Sequence, residues 1–494
     1  MGMVLNTNIG AIQAQRALTE SRKDMEKAME RLATGKRING AADDAAGLAM
    51  VERMNTQIRG LTMATRNAND GIALIRTVEN ALVEVSGMLQ RMRVLAVQSA
   101  NDTNTPTERA FANNELNQLQ LEISRVSLNT RYNGAQVLNG SFSAKSLQVG
   151  TESGESINFS IANVESSKLG SYVIEGALRE AVPSSSTGTA PANGVNANSL
   201  TLTANSVSRT IAHATGLEAK IIAQRINAVA AATQVSAEAR TFAHFYTLTA
   251  SPSGGQVNRR ISINGTQTAA FTLTASDVSD AVQKINAIST TTGVQASATS
   301  DYKILLADQD GDDIKIVNVS ASTDLKVVAV GLDGKTAGST VLSVIQTGQA
   351  TDAATVAGGI RLTSNFDFTV TDHGSAPNFF AVNSTAAPLV NISDMDILTR
   401  ITSTDSLAVI DGAIASVSSM RGGLGTLENR LDYTVSNLMK VTEYTTGARS
   451  RIADADFAAE TSRLAKAQVL QQAGASMLAQ ANASTDIVLQ LLRG

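Results

Sequence analysis

Cysteine is absent from the 494 residues, which removes disulfides, thiolate metal sites and thiol nucleophiles together. Histidine is nearly absent as well. His213, His244 and His373 each stand alone, with no paired acid or nucleophile elbow nearby, so each reads as a surface or packing residue. Tryptophan is missing and aromatics make up only 3% against 43% hydrophobic residues, so the apolar surface comes from Ala, Leu, Ile, Val and Met. That palette suits long helices packed on helices. Neither sign of charge dominates: 40 Lys and Arg face 44 Asp and Glu, and a net charge of −4 leaves no basic excess for nucleic acid or an anionic membrane. No run of 18 apolar residues occurs, so no membrane insertion is expected. The opening MGMVLNTNIG lacks the basic, apolar and small-residue segments of a secretory signal, so no general secretion signal is expected.

Proline is scarce and unevenly placed. Pro183, Pro191, Pro252, Pro377 and Pro388 lie in the middle, while Pro106 alone lies in the terminal parts of the chain. Long helices are therefore permitted at the two ends. Ile72, Ile75, Val78, Leu82, Val85, Leu89, Met92 and Leu95 step by three or four and hold one apolar seam through about three heptads. A second seam runs through Ala112, Leu116, Leu119, Ile123 and Val126. Its start is marked by Thr105 as N-cap, Pro106 as first helical residue and Glu108 as the reciprocal acid. A third runs from Leu407 through Ile410, Ile414, Val417, Met420, Leu424, Leu427, Leu431, Val435 and Leu438 to Val441, about 50 Å of helix. Three such helices predict a long antiparallel coiled-coil bundle built from both chain ends.

The extreme ends carry thinner apolar stripes: Ile9, Ile12, Leu18, Met25, Met29 and Leu32 at one, Leu464, Leu470, Met477, Leu478, Ile487 and Leu491 at the other. Each is too little to bury alone, so these segments are expected to be marginal in a free monomer and to order against a partner.

The middle shifts to Ser, Thr, Val, Gly and Asn with period-two runs. Leu147 and Val149, a turn over Thr151 to Ser156, then Ile157, Phe159 and Ile161 predict a β-hairpin beside the bundle. AQRINAVAAATQVSAEA (Ala223 to Ala239) aligns with VQKINAISTTTGVQASA (Val282 to Ala298) at an offset of 59. Gln224, Ile226, Asn227, Ala228, Thr233 and Val235 match Gln283, Ile285, Asn286, Ala287, Thr292 and Val294. Each copy reads as strand, helix, strand, with Ile261 and Ile263 leading the second, which predicts a duplicated α+β set outboard of a mainly α frame. The expected division is 1–45 with 452–494 as terminal helices, 46–180 with 400–451 as bundle and hairpin, and 181–399 as an outer insertion holding repeats at about 200–258 and 259–320.

Two patterns invite chemistry. Asp308, Asp310, Asp312 and Asp313 suggest a calcium loop, yet Gly311 is fourth where an EF-hand needs its glycine sixth, so a turn between strands is expected. Gly422, Gly423 and Gly425 echo a phosphate loop but follow no strand, so a helix kink or close packing is expected. No catalytic constellation, metal site or cofactor is expected.

Longer strings carry a family resemblance. ERLATGKRINGAADDAAGLAM (Glu30 to Met50), RNANDGI (Arg66 to Ile72), LQRMRVLAVQSAND (Leu89 to Asp102) and LNTN (Leu5 to Asn8) resemble the N-terminal region of bacterial flagellin. ARSRIADADFAAE (Ala448 to Glu460) and LQQAGASMLAQAN (Leu470 to Asn482) resemble its C-terminal region. The resemblance covers about residues 4–165 and 400–494, and ISINGT (Ile261 to Thr266) with the INAI repeats is similar to a module inserted in flagellins and hook-associated proteins. It implies a non-enzymatic structural subunit that self-assembles, by heterologous contacts, into the helical extracellular filament used for swimming. It further implies type III export, and as partners further copies of the chain, an export chaperone, the filament cap and the hook–filament junction proteins. The junction protein itself, or a flagellin whose insertion carries a binding or enzymatic activity, is the alternative. For the host toll-like receptor for flagellin, the resemblance maps an Arg, a Leu and a Glu onto Arg91, Leu95 and Glu122, with Val94 where an acid is usual.

Overall fold

The computed structural model describes residues 7–184, 188–248, 259–320, 325–344, 352–373, 379–380 and 383–493, with backbone only for Asn383 and 484–493. Leu5 and Asn6 of the opening string, Pro252, Pro377, the last residues of the first repeat and the side chains of Ile487 and Leu491 lie outside the described residues. Helices α1 (Ile9–Thr34), α2 (Ala45–Ser99) and α3 (Pro106–Asn129) come first; α4 (Ala219–Ala228), α5 (Ala230–Thr233), α6 (Ser279–Asn286) and α7 (Ser289–Thr292) lie in the middle; α8 (Arg400–Ala453) and α9 (Phe457–Arg493) close the chain. Contacts group the residues into two units, 1–76 with 144–159 and 425–494, and 77–143 with 160–424, so the division cuts α2 after Arg76 and α8 after Leu424.

In the first unit α1 and α9 form an antiparallel pair. Asn8 caps α1 by accepting the Ala11 N–H at 3.0 Å, and Gly35 ends it at φ +72°, a left-handed position that glycine takes without strain. The seam is Ala11, Ala14, Leu18, Ser21, Met25, Ala28 and Leu32 against Glu460, Leu464, Ala467, Gln471, Gly474, Leu478 and Ala481, all buried or half-buried. Steps of three and four make this a heptad seam in which small residues alternate with larger ones. Small residues bring the backbones close: Ser21 Oγ donates to Ala467 O at 2.8 Å, and a Cβ on Gly474 would stand 3.2 Å from Leu18. Just beyond, Arg37 N–H donates to Ala453 O at 2.7 Å and Ala455 N–H to Gly35 O at 3.0 Å, so ATGKRING and RIADAD clasp each other.

Also in this unit, α2 lies antiparallel to α8, with Leu61 and Ala64 on Leu438 and Val441, Arg449 bound to Asn55 at 3.0 Å and Arg76 to Glu428 at 2.8 Å. The predicted hairpin forms from Lys145–Gln148 and Ser156–Phe159, with Leu147 opposite Ile157. Gly71 admits it: a Cβ there would stand 3.0 Å from Leu147 and 3.3 Å from Leu431.

In the second unit the seam residues Val78, Leu82, Val85, Leu89 and Met92 of α2 are fully buried, as are Leu116 and Ile123 of α3 and Ile410 and Val417 of α8. Both halves of the Thr105–Glu108 capping box are made. Arg93 pairs with Asp411 at 2.6 Å and Arg421 with Glu79 at 2.8 Å, holding α2 and α8 antiparallel here too. Through both units α8 runs uninterrupted, and a Cβ on Gly422, Gly423 or Gly425 would meet nothing within 4 Å. The expected close packing at these glycines is therefore corrected: their helix face is open.

Among the described residues the middle builds sheets of eight, five and four strands. Strand Val235–Thr247 is the spine of the largest, pairing with Ile304–Asp308, Leu325–Val330 and Gly359–Ser364. The repeat is structural as well. Asn227 exchanges two hydrogen bonds with the Ala237 backbone at 2.8 and 2.9 Å, and Asn286 does the same with Ala296 at 2.7 and 2.9 Å. In each copy the Asn side chain thus ties the helix to the following strand, while Ile226 and Ile285 are fully buried. The matching turns, Asn205–Ser206 and Asn264–Gly265, both hold positive φ. The expected boundary near residue 180 cuts a sheet: Gly170–Glu175 pairs with Gly359–Ser364 on one side and Leu389–Asn391 on the other. Long-range strand pairing leaves no mark in local spacing, so that edge was invisible in the sequence.

Candidate assembly and recognition surfaces

The terminal stripes divide into two faces. Leu18, Met25, Leu32, Leu464 and Leu478 sit in the α1–α9 seam, whereas Ile9, Ile12, Met29, Leu470 and Met477, with Val469, point away from it and are exposed. The expectation that these stripes order only against a partner is therefore corrected for half of the stripe residues whose side chains are described. Ala, Ser and Gly complete the intramolecular seam, and a count of large apolar residues passes over them. A buried charge fixes its inner end: Glu460 accepts from Arg31 at 3.2 Å and from Arg463 at 2.8 Å. Ile12 is 60% exposed and Leu470 50% exposed, large apolar surface left in water after the pair has formed.

The three residues mapped for receptor recognition do not form one surface. Arg91 is exposed and makes a two-pronged pair with Glu115, at 2.7 and 3.1 Å, that holds the Glu115 carboxyl below its ordinary range. Glu122 instead pairs with Arg125 of its own helix at 2.7 Å. Leu95 is only 2% exposed, a seam residue with no side chain to offer. The acid beside Arg91 is thus Glu115, one heptad before Glu122, and the Leu95 assignment is corrected by burial. Exposed apolar residues on these two helices include Val94, Val97, Phe111, Leu121 and Leu128.

The acidic run is a turn. Asp308 Oδ1 accepts the N–H groups of Asp310, Gly311 and Asp312 at 3.0, 3.1 and 3.3 Å, and Lys220 Nζ lies 3.3 Å from Asp310 and 2.9 Å from Asp312. Gly311 holds φ +81°, and a Cβ there would fall 2.3 Å from that of Ala239. His213 and His244 are buried, and burial lowers the pKa of both; His213 packs edge-on against Phe379 at 5.8 Å. They are packing residues, as their isolation in the sequence suggested.

Beside that turn, burial pushes the Asp313 carboxyl up to about 6, partly offset by a hydrogen bond from Asn193 at 3.3 Å. A carboxyl raised in the fold binds more protons folded than unfolded between about pH 4 and 6, so its contribution to stability falls as pH rises through that window. Asp313→Asn should therefore raise stability at pH 7.5 by roughly 1–3 kcal/mol and flatten the pH dependence between about 4 and 6. Urea unfolding at about pH 4 and at pH 7.5 reads this directly, and an unchanged or lower midpoint at pH 7.5 would refute it.

Two family models match the helical frame. Residues 5–143 match the bacterial flagellin N-terminal helical region and residues 407–492 the C-terminal helical region. Along their whole lengths, the chain and the B-type flagellin of Pseudomonas aeruginosa are 37% identical, and the chain and flagellin B of Vibrio cholerae 31%. The solved structure of FliC from Burkholderia pseudomallei aligns with 73% of this chain and 99% of its own, at 16% identity and a TM-score of 0.30. With both terminal models matched and full-length identity above 30%, the chain belongs to the bacterial flagellin family.

Proposed function

We propose that this filament subunit assembles through the outward faces of its α1–α9 pair, which pack against other copies of the chain in the innermost layer of the filament. The supporting observation is that Ile9, Ile12, Met29, Val469, Leu470 and Met477 stay in water although the pair is fully formed. Contacts between unlike faces of successive copies propagate an open helix rather than a closed ring. Residues 1–45 with 452–494 are then the inner layer, the helical bundle of 46–169 with 400–451 the second, and the sheets between them, which take in Gly170–Glu175, the filament surface. Removing residues 465–494 should abolish filament growth from seeds, because it deletes one outward face and bares the seam of the other. Filaments of normal length and number from the truncated chain would contradict the proposal.

As a flagellin the protein belongs to the extracellular flagellum. Family membership supports passage through the flagellar export channel and contact with an export chaperone, the filament cap and the junction proteins. It also supports recognition by the toll-like receptor for flagellin, here through Arg91 and Glu115 rather than through Leu95 or Glu122. In a receptor reporter assay on monomer, Arg91→Ala should lower potency about tenfold or more, the effect of removing an interface hot spot, while Glu122→Ala changes little. An Arg91→Ala variant as potent as the parent would refute this assignment and leave filament assembly untouched.

A further inference from the structure

With no cysteine in the chain, methionine carries all of its sulfur. The methionines are not spread evenly. In the first unit Met29, Met50, Met63, Met439 and Met477 are 40–64% exposed and Met25 and Met54 half-buried; in the second, Met92 and Met395 are buried and Met88 and Met420 half-buried. Among the described residues every exposed thioether therefore belongs to the unit that carries the α1–α9 pair. Met29 and Met477 lie on the outward faces of that pair, outside its seam. Met439 lines a groove of about 750 Å³ on the same unit with Thr62, Val435 and Lys440.

We propose that these five methionines form an oxidation-sensitive device: a peroxide converts them to sulfoxides in the free subunit, and the sulfoxides block polymerisation. The inference rests on the assembly reading above. The sulfur lone pair attacks one peroxide oxygen, the O–O bond breaks, a sulfur–oxygen bond forms, and the second oxygen leaves as water, so one thioether and one hydrogen peroxide give one sulfoxide and one water. Reactivity follows exposure, and the product replaces a flexible apolar group with a polar one that disrupts methionine-bearing interfaces. Because Met29 and Met477 take no part in the intramolecular seam, their oxidation leaves the subunit's own packing intact. It spoils the faces that other copies must cover, since a buried sulfoxide oxygen without a donor is costly. A filament that has already grown shields the same sulfurs.

The test uses the purified full chain and hydrogen peroxide. Peptide mapping of the monomer should show the five exposed methionines oxidising about tenfold or more faster than Met92 and Met395. Oxidised monomer should keep its helical circular dichroism yet add to seeds about tenfold or more slowly, and preformed filament should protect Met29 and Met477 by a similar factor. A variant with all five changed to Leu should polymerise equally well before and after peroxide. Reduction of the oxidised wild type by methionine sulfoxide reductase should restore growth, an arm that does not depend on the variant folding. The inference is overturned if oxidised wild type polymerises at the untreated rate, if the exposed sulfurs react no faster than the buried ones, or if reduction fails to restore growth. Failure of the untreated chain to polymerise, seen before any oxidant is added, would overturn the assembly reading and this inference with it.

Discussion

Replacing Ile12 and Leu470 together by Asp will abolish filament growth while leaving the α1–α9 pair folded. Both side chains stand outside the seam and at least half in water, so a carboxylate at either position changes monomer stability by no more than about 0.5 kcal/mol. Against another copy the same carboxylate loses its hydration without a partner, at several kcal/mol per site. Two such sites per subunit should raise the concentration needed for growth by about a hundredfold or more, each 1.4 kcal/mol being a factor of ten. Circular dichroism should be unchanged, and seeded sedimentation should show no pellet. Ser21→Asp is the opposite case: it buries a charge in the intramolecular seam, where Ser21 Oγ meets Ala467 O, and should unfold the pair itself. Normal filaments from the Ile12 and Leu470 variant would show that these faces remain in water after assembly.

The second large effect is expected at Asp405, near the start of α8. Its carboxylate accepts from Arg240 Nη1 at 2.8 Å and from Arg361 Nη1, and both guanidinium side chains are at most 8% exposed. Arg240 lies on strand Val235–Thr247 and Arg361 on its neighbour Gly359–Ser364, so one carboxylate ties two strands of the large sheet to the helix. Asp405→Ala leaves two buried cations short of an acceptor, and loss of one member of a buried pair costs about 3–5 kcal/mol. Glu238, 2.7 Å from Arg240, compensates in part, which puts the expected loss near the lower end, roughly 3 kcal/mol. Asp405→Asn keeps an acceptor oxygen and should lose less. Urea unfolding followed at the second unit reads the difference; an Asp405→Ala midpoint equal to that of the parent would mean that the two arginines are satisfied without it.

Features set by neighbours in sequence were legible before the fold. The seams of α2, α3 and α8, the Thr105 capping box, the hairpin around Leu147 and the paired INA segments all depend on spacing within a few residues, and all form. What escaped is set by distant partners. Half of the α1–α9 seam is Ala, Ser and Gly, so the spacing of large apolar residues alone does not separate seam from outward positions. Glu115 and Glu122 share a helix face one heptad apart, and only the position of Arg91 on the neighbouring helix selects between them. Leu95 is set by the α2 spacing itself, which places it in the buried seam. Asp405 carried no signal, since its partners lie 165 residues away at Arg240 and across the sheet at Arg361.

Filament assembly through the α1–α9 faces is tested most directly by helical reconstruction from electron micrographs of filaments grown from the purified chain on seeds. The expected result is an open helical tube whose innermost layer is the α1–α9 pair, with Ile12, Leu470 and Met477 covered by neighbouring copies. A chain that stays monomeric, closes into rings, or builds filaments in which those three side chains remain in solvent would contradict it.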